Sequence, residues 1–149
     1  MRLSFCAFLA IGVVLLGSGC TPKSAEAVAA ATATTTTVGY DSTVDLAPGE
    51  SLQLEKSTSN FTFLGVASDN RCPKGVNCIQ AGAAVVRIGL PDGGVRELTV
   101  RAGEKTLPRF SVKDGLVQLL ALNPYPEYEN NIPEQDYRLR LKIMPAAAQ

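Results

Sequence analysis

Residues 136–144 read Asp-Tyr-Arg-Leu-Arg-Leu-Lys-Ile-Met, and this stretch decides the fold class. Tyr137, Leu139, Leu141 and Ile143 alternate with Asp136, Arg138, Arg140 and Lys142. Successive side chains of a strand point to opposite faces, so a period of two marks a strand with one buried and one wet face. A helix would space its apolar residues three or four apart. Burying each of the large side chains is worth about 1.5–3 kcal/mol, and together they rival the net stability of a small domain. The strand is therefore expected to be integral to the core and to pair with an interior strand.

Working back from it, the same period recurs. Residues 83–90 and 95–101 alternate around Pro91-Asp92-Gly93-Gly94, where glycines supply the positive φ angles of a tight reversal. That predicts a hairpin. A second hairpin joins 107–112 to 116–122 across Lys113-Asp114-Gly115. Residues 61–67 are too apolar for a wet face and predict a central strand. Shorter strands are expected at 42–46 and 51–55, separated by Ala47-Pro48-Gly49-Glu50. Residues 81–90 and 116–122 can also be read as buried helices, but Gly82, Gly89 and the flanking turns oppose that. The expected architecture is all-β: a small antiparallel β-sandwich of seven or eight short strands, with a β-barrel as the alternative. It occupies residues 41–145, followed by a frayed tail at 146–149.

The amino terminus is different in kind. Arg2 precedes an apolar run from Phe5 to Leu16, then Gly17-Ser18-Gly19-Cys20. The run suits a signal-peptide core and is short for a bilayer span. The segment resembles a bacterial lipobox, although Gly17 stands where that family carries Leu, Val or Ile. The resemblance implies a signal peptide over residues 1–19, lipidation of Cys20 and anchoring of the chain to a membrane. Thr21, rather than Asp, follows the cysteine, which by the same resemblance directs the protein to the outer membrane. The rival is an ordinary secretory signal. Residues 21–40 are rich in Ala and Thr and poor in large apolar groups, so the expectation over 20–40 is a tether. A helix over 25–31 or a strand over 34–38 is the competing reading.

Composition excludes several functions. The 149 residues carry 14 basic and 14 acidic side chains, and removing residues 1–19 takes away only Arg2. No basic surplus is left to neutralise nucleic-acid phosphates. Histidine is absent, which removes Ser-His-Asp and Cys-His catalysis and His-ligated metals. Tryptophan is absent too. The chain is expected to have neither enzymatic activity nor a cofactor.

Residues 69–84, Asp-Asn-Arg-Cys-Pro-Lys-Gly-Val-Asn-Cys-Ile-Gln-Ala-Gly-Ala-Ala, form the most distinctive segment. Cys72 and Cys78 are the two cysteines that follow Cys20. Export would place them in an oxidising compartment, where a mutual disulfide is the default. Their spacing is not that of a redox-active C-x-x-C, and no third cysteine or histidine completes a zinc site. The segment resembles one found in small secreted bacterial proteins and lipoproteins, on the strength of Asp69, Arg71, Cys72, Pro73, Cys78, Ala81, Gly82 and Ala84. Asn70 and Gln80 replace the serine and tryptophan usual there. The resemblance implies export, the disulfide and a β domain, and carries no activity.

Two groups are candidates for binding. Asp69, Arg71 and Lys74 can form a recognition patch on the disulfide-pinned loop. Against this, Asp69 can cap the turn, with Arg71 pairing to it or to a backbone carbonyl. Glu127, Glu129, Glu134 and Asp136, with Asn130 and Asn131, offer hard oxygen ligands for calcium, but in no known spacing; a solvated acidic loop is the plain reading. The functional expectation is an envelope lipoprotein whose β-sandwich binds an envelope or extracellular protein. A structural lipoprotein without a discrete ligand, or a protease-inhibitor-like module, is the alternative.

Overall fold

The computed structural model describes residues 34–55, 57–104 and 107–146. The expected signal peptide over residues 1–19, Cys20 and the part of the expected tether up to residue 33 lie outside them, as do residues 147–149 of the expected tail. The described residues form nine strands: β1 (Thr35–Val38), β2 (Thr43–Leu46), β3 (Ser51–Leu54), β4 (Asn60–Asp69), β5 (Ala83–Gly89), β6 (Val95–Arg101), β7 (Arg109–Val112), β8 (Gly115–Asn123) and β9 (Arg138–Pro145). A single 3-10 turn, Glu134–Asp136, precedes β9.

The strands make two sheets, ordered β1-β3-β4-β5-β6 and β2-β9-β8-β7. Neither closes on itself, so the architecture is the β-sandwich and not the barrel. Both predicted hairpins form, as the antiparallel pairs β5–β6 and β7–β8. At the tip of the first, Gly93 takes φ 81°.

Alternation fixes the core. Leu139, Leu141 and Ile143 of β9 are fully buried, while Arg138 and Arg140 face water. β9 lies between β2 and β8, opposing Leu139 to Leu46 and Leu122, and Leu141 to Val44 and Leu119. From the other sheet Leu52, Phe61, Phe63, Val86 and Ile88 meet them. Phe61 and Phe110 cross the interface edge to face, with ring centroids 5.2 Å apart.

Two expectations change. β4 is central, but it has a partly wet face: Phe61 and Phe63 point inward and Leu64 is exposed. Leu64 covers Gly89 of the neighbouring strand, which has no side chain of its own to pack there. The tether expected over 20–40 also gives way to a strand at its carboxy-terminal end. Residues 35–38 form β1, the rival strand reading, and bring the count to nine. β1 runs parallel to β3 with Thr35 beside Ser51 and Val38 beside Leu54. β-Branched threonines suit an edge strand that exposes most of its side chains, and Val38 packs against the core.

β9 supplies the middle of its sheet, so its loss should be intolerable. Deleting residues 146–149 is expected to leave the thermal midpoint essentially unchanged. Deleting residues 137–149 should abolish cooperative unfolding. A melt of the longer truncation that retained the wild-type midpoint would place the core elsewhere.

Candidate functional site

β4 and β8 both end at the same pole of the sandwich, and the two longest connections leave from there: residues 70–82 toward β5, and residues 124–137 toward β9. Their backbones are tied together. The Lys74 N–H donates to the Pro126 carbonyl at 3.0 Å, and Lys74 and Glu127 form an isolated parallel bridge. Pro124 follows a cis peptide bond.

Arg71 is only 5% exposed and lies under both loops. Its Nε donates to Asp69 Oδ1 at 2.8 Å and its Nη2 to Asp69 Oδ2 at 2.6 Å. The remaining bonds run to backbone carbonyls: Nη1 to Leu122 at 2.7 Å and Nη2 to Pro124 at 3.0 Å. The Tyr125 ring lies 5.0 Å from the guanidinium carbon. Asp69 also accepts the Arg71 backbone N–H at 3.2 Å and the Tyr137 hydroxyl at 3.1 Å. Burial pushes the Asp69 carboxyl up, but hydrogen bonds and charge from Arg71, with help from Tyr137, outweigh it and hold the group below its ordinary value. Burial, with the Asp69 charge and its hydrogen bond, raises the Tyr137 hydroxyl.

The disulfide joins Cys72 to Cys78 with their Cα atoms 6.0 Å apart. By loop-closure entropy a ring of this size contributes only about 2.4 kcal/mol. The stem below it is held independently, because the Asn70 N–H donates to Ala83 and the Cys72 N–H to Ala81, at 2.8 and 2.9 Å. Gly82 makes that stem possible. It takes φ +69°, and a Cβ there would lie 1.8 Å from the Asn70 carbonyl oxygen.

The proposed recognition patch therefore divides. Asp69 and Arg71 turn inward and bond one another, with Arg71 also reaching backbone carbonyls, as in the capping and pairing alternative. Lys74 alone stays at the surface, 3.8 Å from Glu127. The acidic residues line shallow features. A cleft of about 370 Å³ has Asp69, Arg71 and Tyr137 among its walls and Glu127 and Glu129 beside them. An adjoining depression of about 440 Å³ includes Glu127 and Asp136. Glu134 instead sits over Gly65, its Oε1 2.8 Å from where a Cβ would be. Among the described residues no three such ligands converge as a metal site would require.

Sequence reasoning missed the carbonyls of Leu122 and Pro124 as partners of Arg71, since nothing in the sequence marks a backbone acceptor fifty residues away. It also passed over Ile79. This residue is 104% exposed on the stapled loop, near Val76 at 37%; Tyr128, beside Glu127 on the other loop, is 65% exposed. The available signal was an apolar residue in a turn-rich segment, outside any strand alternation. Compared with protein-family models, curated proteins and solved structures, the chain matches none.

Arg71→Met should leave Asp69 buried without its cation and cost about 3–5 kcal/mol in urea unfolding. Adding Asp69→Asn should recover part of that loss. The depressed carboxyl stabilises the fold above its ordinary value near pH 4, and that share is lost as pH falls through the lower folded value. Asp69→Asn alone should thus flatten the acid limb of the stability curve. Gly82→Ala tests the stem: strained φ alone should cost more than about 1 kcal/mol, and the carbonyl clash adds to it. Unchanged stability in Gly82→Ala would mean that the stem has another path.

Proposed function

We propose that the chain is an exported envelope lipoprotein, held in the outer membrane by acylated Cys20, whose β-sandwich is a non-catalytic binding module for a protein. The observation that carries the binding reading is Ile79, wholly exposed on a loop that a disulfide, a buried ion pair and a strand-like stem hold in place. Ordering a loop costs conformational entropy, and a side chain presented on a pre-ordered loop avoids that cost on binding. A rigid scaffold with exposed apolar loop residues is the general arrangement of a recognition surface. Burial of Asp69 and Arg71 and their bonds to one another, to backbone carbonyls and to Tyr137 support a scaffold role for this pair. The anchoring part of the reading rests on the lipobox-like Gly17-Ser18-Gly19-Cys20. Several acyl chains would retain the protein stably where one would not.

Two measurements test the two parts. Cys20→Ser should move the protein from the membrane fraction to the soluble fraction; retention in the membrane would overturn the lipid anchor. A photo-crosslinking side chain at position 79 should give protein adducts in intact envelopes, identified by mass spectrometry, and one at the exposed position 99 of β6 should not. Equal labelling from both positions would remove the loops as the contact end.

A further inference from the structure

Several ties hold the loop between β4 and β5, and they do not reach the same residues. The clasp of Arg71 with Asp69, and the stem bonds from the Asn70 N–H to Ala83 and from the Cys72 N–H to Ala81, fix its two ends. Lys74 is held to the second loop through the Pro126 carbonyl, and the Val76 N–H closes a turn on the Pro73 carbonyl at 3.4 Å. Beyond that turn, among the described residues, Asn77, Ile79 and Gln80 make no hydrogen bond or ion pair. What ties this stretch to the body of the loop is the bond from Cys78 to Cys72. Residues 74–80 are exposed throughout, so the bond supports no part of the core. Cys78 is its exposed partner, and Cys72 is half-buried.

We infer that the Cys72–Cys78 disulfide is a redox latch: its reduction by a dithiol frees residues 75–80, and with them Ile79, while the sandwich stays folded. A thiolate of the dithiol attacks the Cys78 sulfur, the sulfur–sulfur bond breaks, and Cys72 leaves as a thiolate. The second thiol of the reductant then displaces Cys78 from the mixed disulfide. Two electrons pass to the cysteine pair, the two protons of the dithiol end on Cys72 and Cys78, and the reductant closes into its own disulfide. Exposed disulfides are the labile ones, because access governs the rate of exchange. The latch also resets. The stem keeps Ala81 beside Cys72, and Ala81 is only three residues from Cys78. The separated sulfurs therefore stay within reach, and an oxidised dithiol of the same class closes them again. The consequence for binding rests on the contact role proposed for Ile79. A latched loop presents this side chain already ordered, whereas an unlatched one must be ordered again at each encounter.

Reduction of the full chain carrying Cys20→Ser tests it, with the thiols at positions 72 and 78 followed by alkylation and peptide mass spectrometry. Dithiothreitol should open the bond in the folded protein at a rate within about tenfold of that in the urea-unfolded chain, because the exposed loop admits the reagent without unfolding. The thermal midpoint should fall by about 10 °C or less. In NMR relaxation, backbone order parameters of residues 75–80 should drop below about 0.6 on reduction, while those of the strands stay at about 0.85. A bond that yields only when the domain unfolds overturns the latch. So does a loop that stays ordered after reduction, or a sandwich that melts with it. Cys72→Ser with Cys78→Ser fixes the unlatched state without a reductant, and a melt matching that of the reduced protein shows that the variant is folded. In envelopes, a photo-crosslinking side chain at position 79 of this variant should give about tenfold fewer protein adducts than in the latched chain. Undiminished adducts overturn the control of binding by the latch. Adducts from neither form remove Ile79 as the contact, and the latch then stands or falls on the reduction measurements.

Discussion

Arg71 sits where the two sheets meet at one pole, and its side chain belongs to both. Asp69, which it grips with two hydrogen bonds, ends β4 in one sheet. The Leu122 carbonyl, which it also binds, is in β8 of the other. A cation taken out of water must have its donors occupied, or it costs more than it stabilises. Here two carboxylate oxygens and two carbonyls meet that demand, and the Tyr137 hydroxyl completes the acceptor side of Asp69. The demand runs in the other direction as well. Residues 122–124 must present carbonyls at one place, so the path of the second loop is fixed by the first. The opposite pole uses a lighter device, in which Ser57 donates to Asp114 at 2.6 Å and the Tyr40 hydroxyl to the Asp114 carbonyl at 2.7 Å.

The distinctive residues of segment 69–84 nearly all have structural work at this pole. Asp69 and Arg71 form the clasp. Cys72 and Cys78 make the staple, and the Ala81 carbonyl accepts the Cys72 N–H. Gly82 lets the Asn70 carbonyl approach, and Ala84 is fully buried where β5 begins. The segment is thus a recipe for a rigid corner. Side chains that reach outward from it, Lys74, Val76 and Ile79, lie between its fixed points.

Strands were legible because burial on one face imposes a period of two. β9 and both hairpins follow from it directly, with Asp-Gly and Gly-Gly marking one reversal. β1 was harder, because an edge strand with mostly exposed side chains carries little hydrophobic signal. Its formation depends on the free edge of β3, which is a tertiary fact. The wet face of β4 was hidden for a related reason: Leu64 looks like core until Gly89 is seen beneath it. At the candidate site the pairing of Asp69 with Arg71 could be read from their nearness in sequence. The carbonyl partners and the sharing of a pole by residues 70–82 and 124–137 could not, since they follow from which strands end together.

β1 also has a mechanical meaning. Any tension applied on the amino-terminal side of Thr34 reaches the sandwich through this strand, which pairs with β3 over four positions. Thr35 to Thr37 are exposed, and Val38 is the one side chain of the strand that grips the core. Beyond it, the Asp41 N–H is held by the Ile143 carbonyl at 2.8 Å, and β2 lies against β9 in the second sheet. Of the nine described strands, β1 alone has no buried side chain, so it is the one least tied to the core. Its release would lengthen the slack in the chain before any strain reached β9.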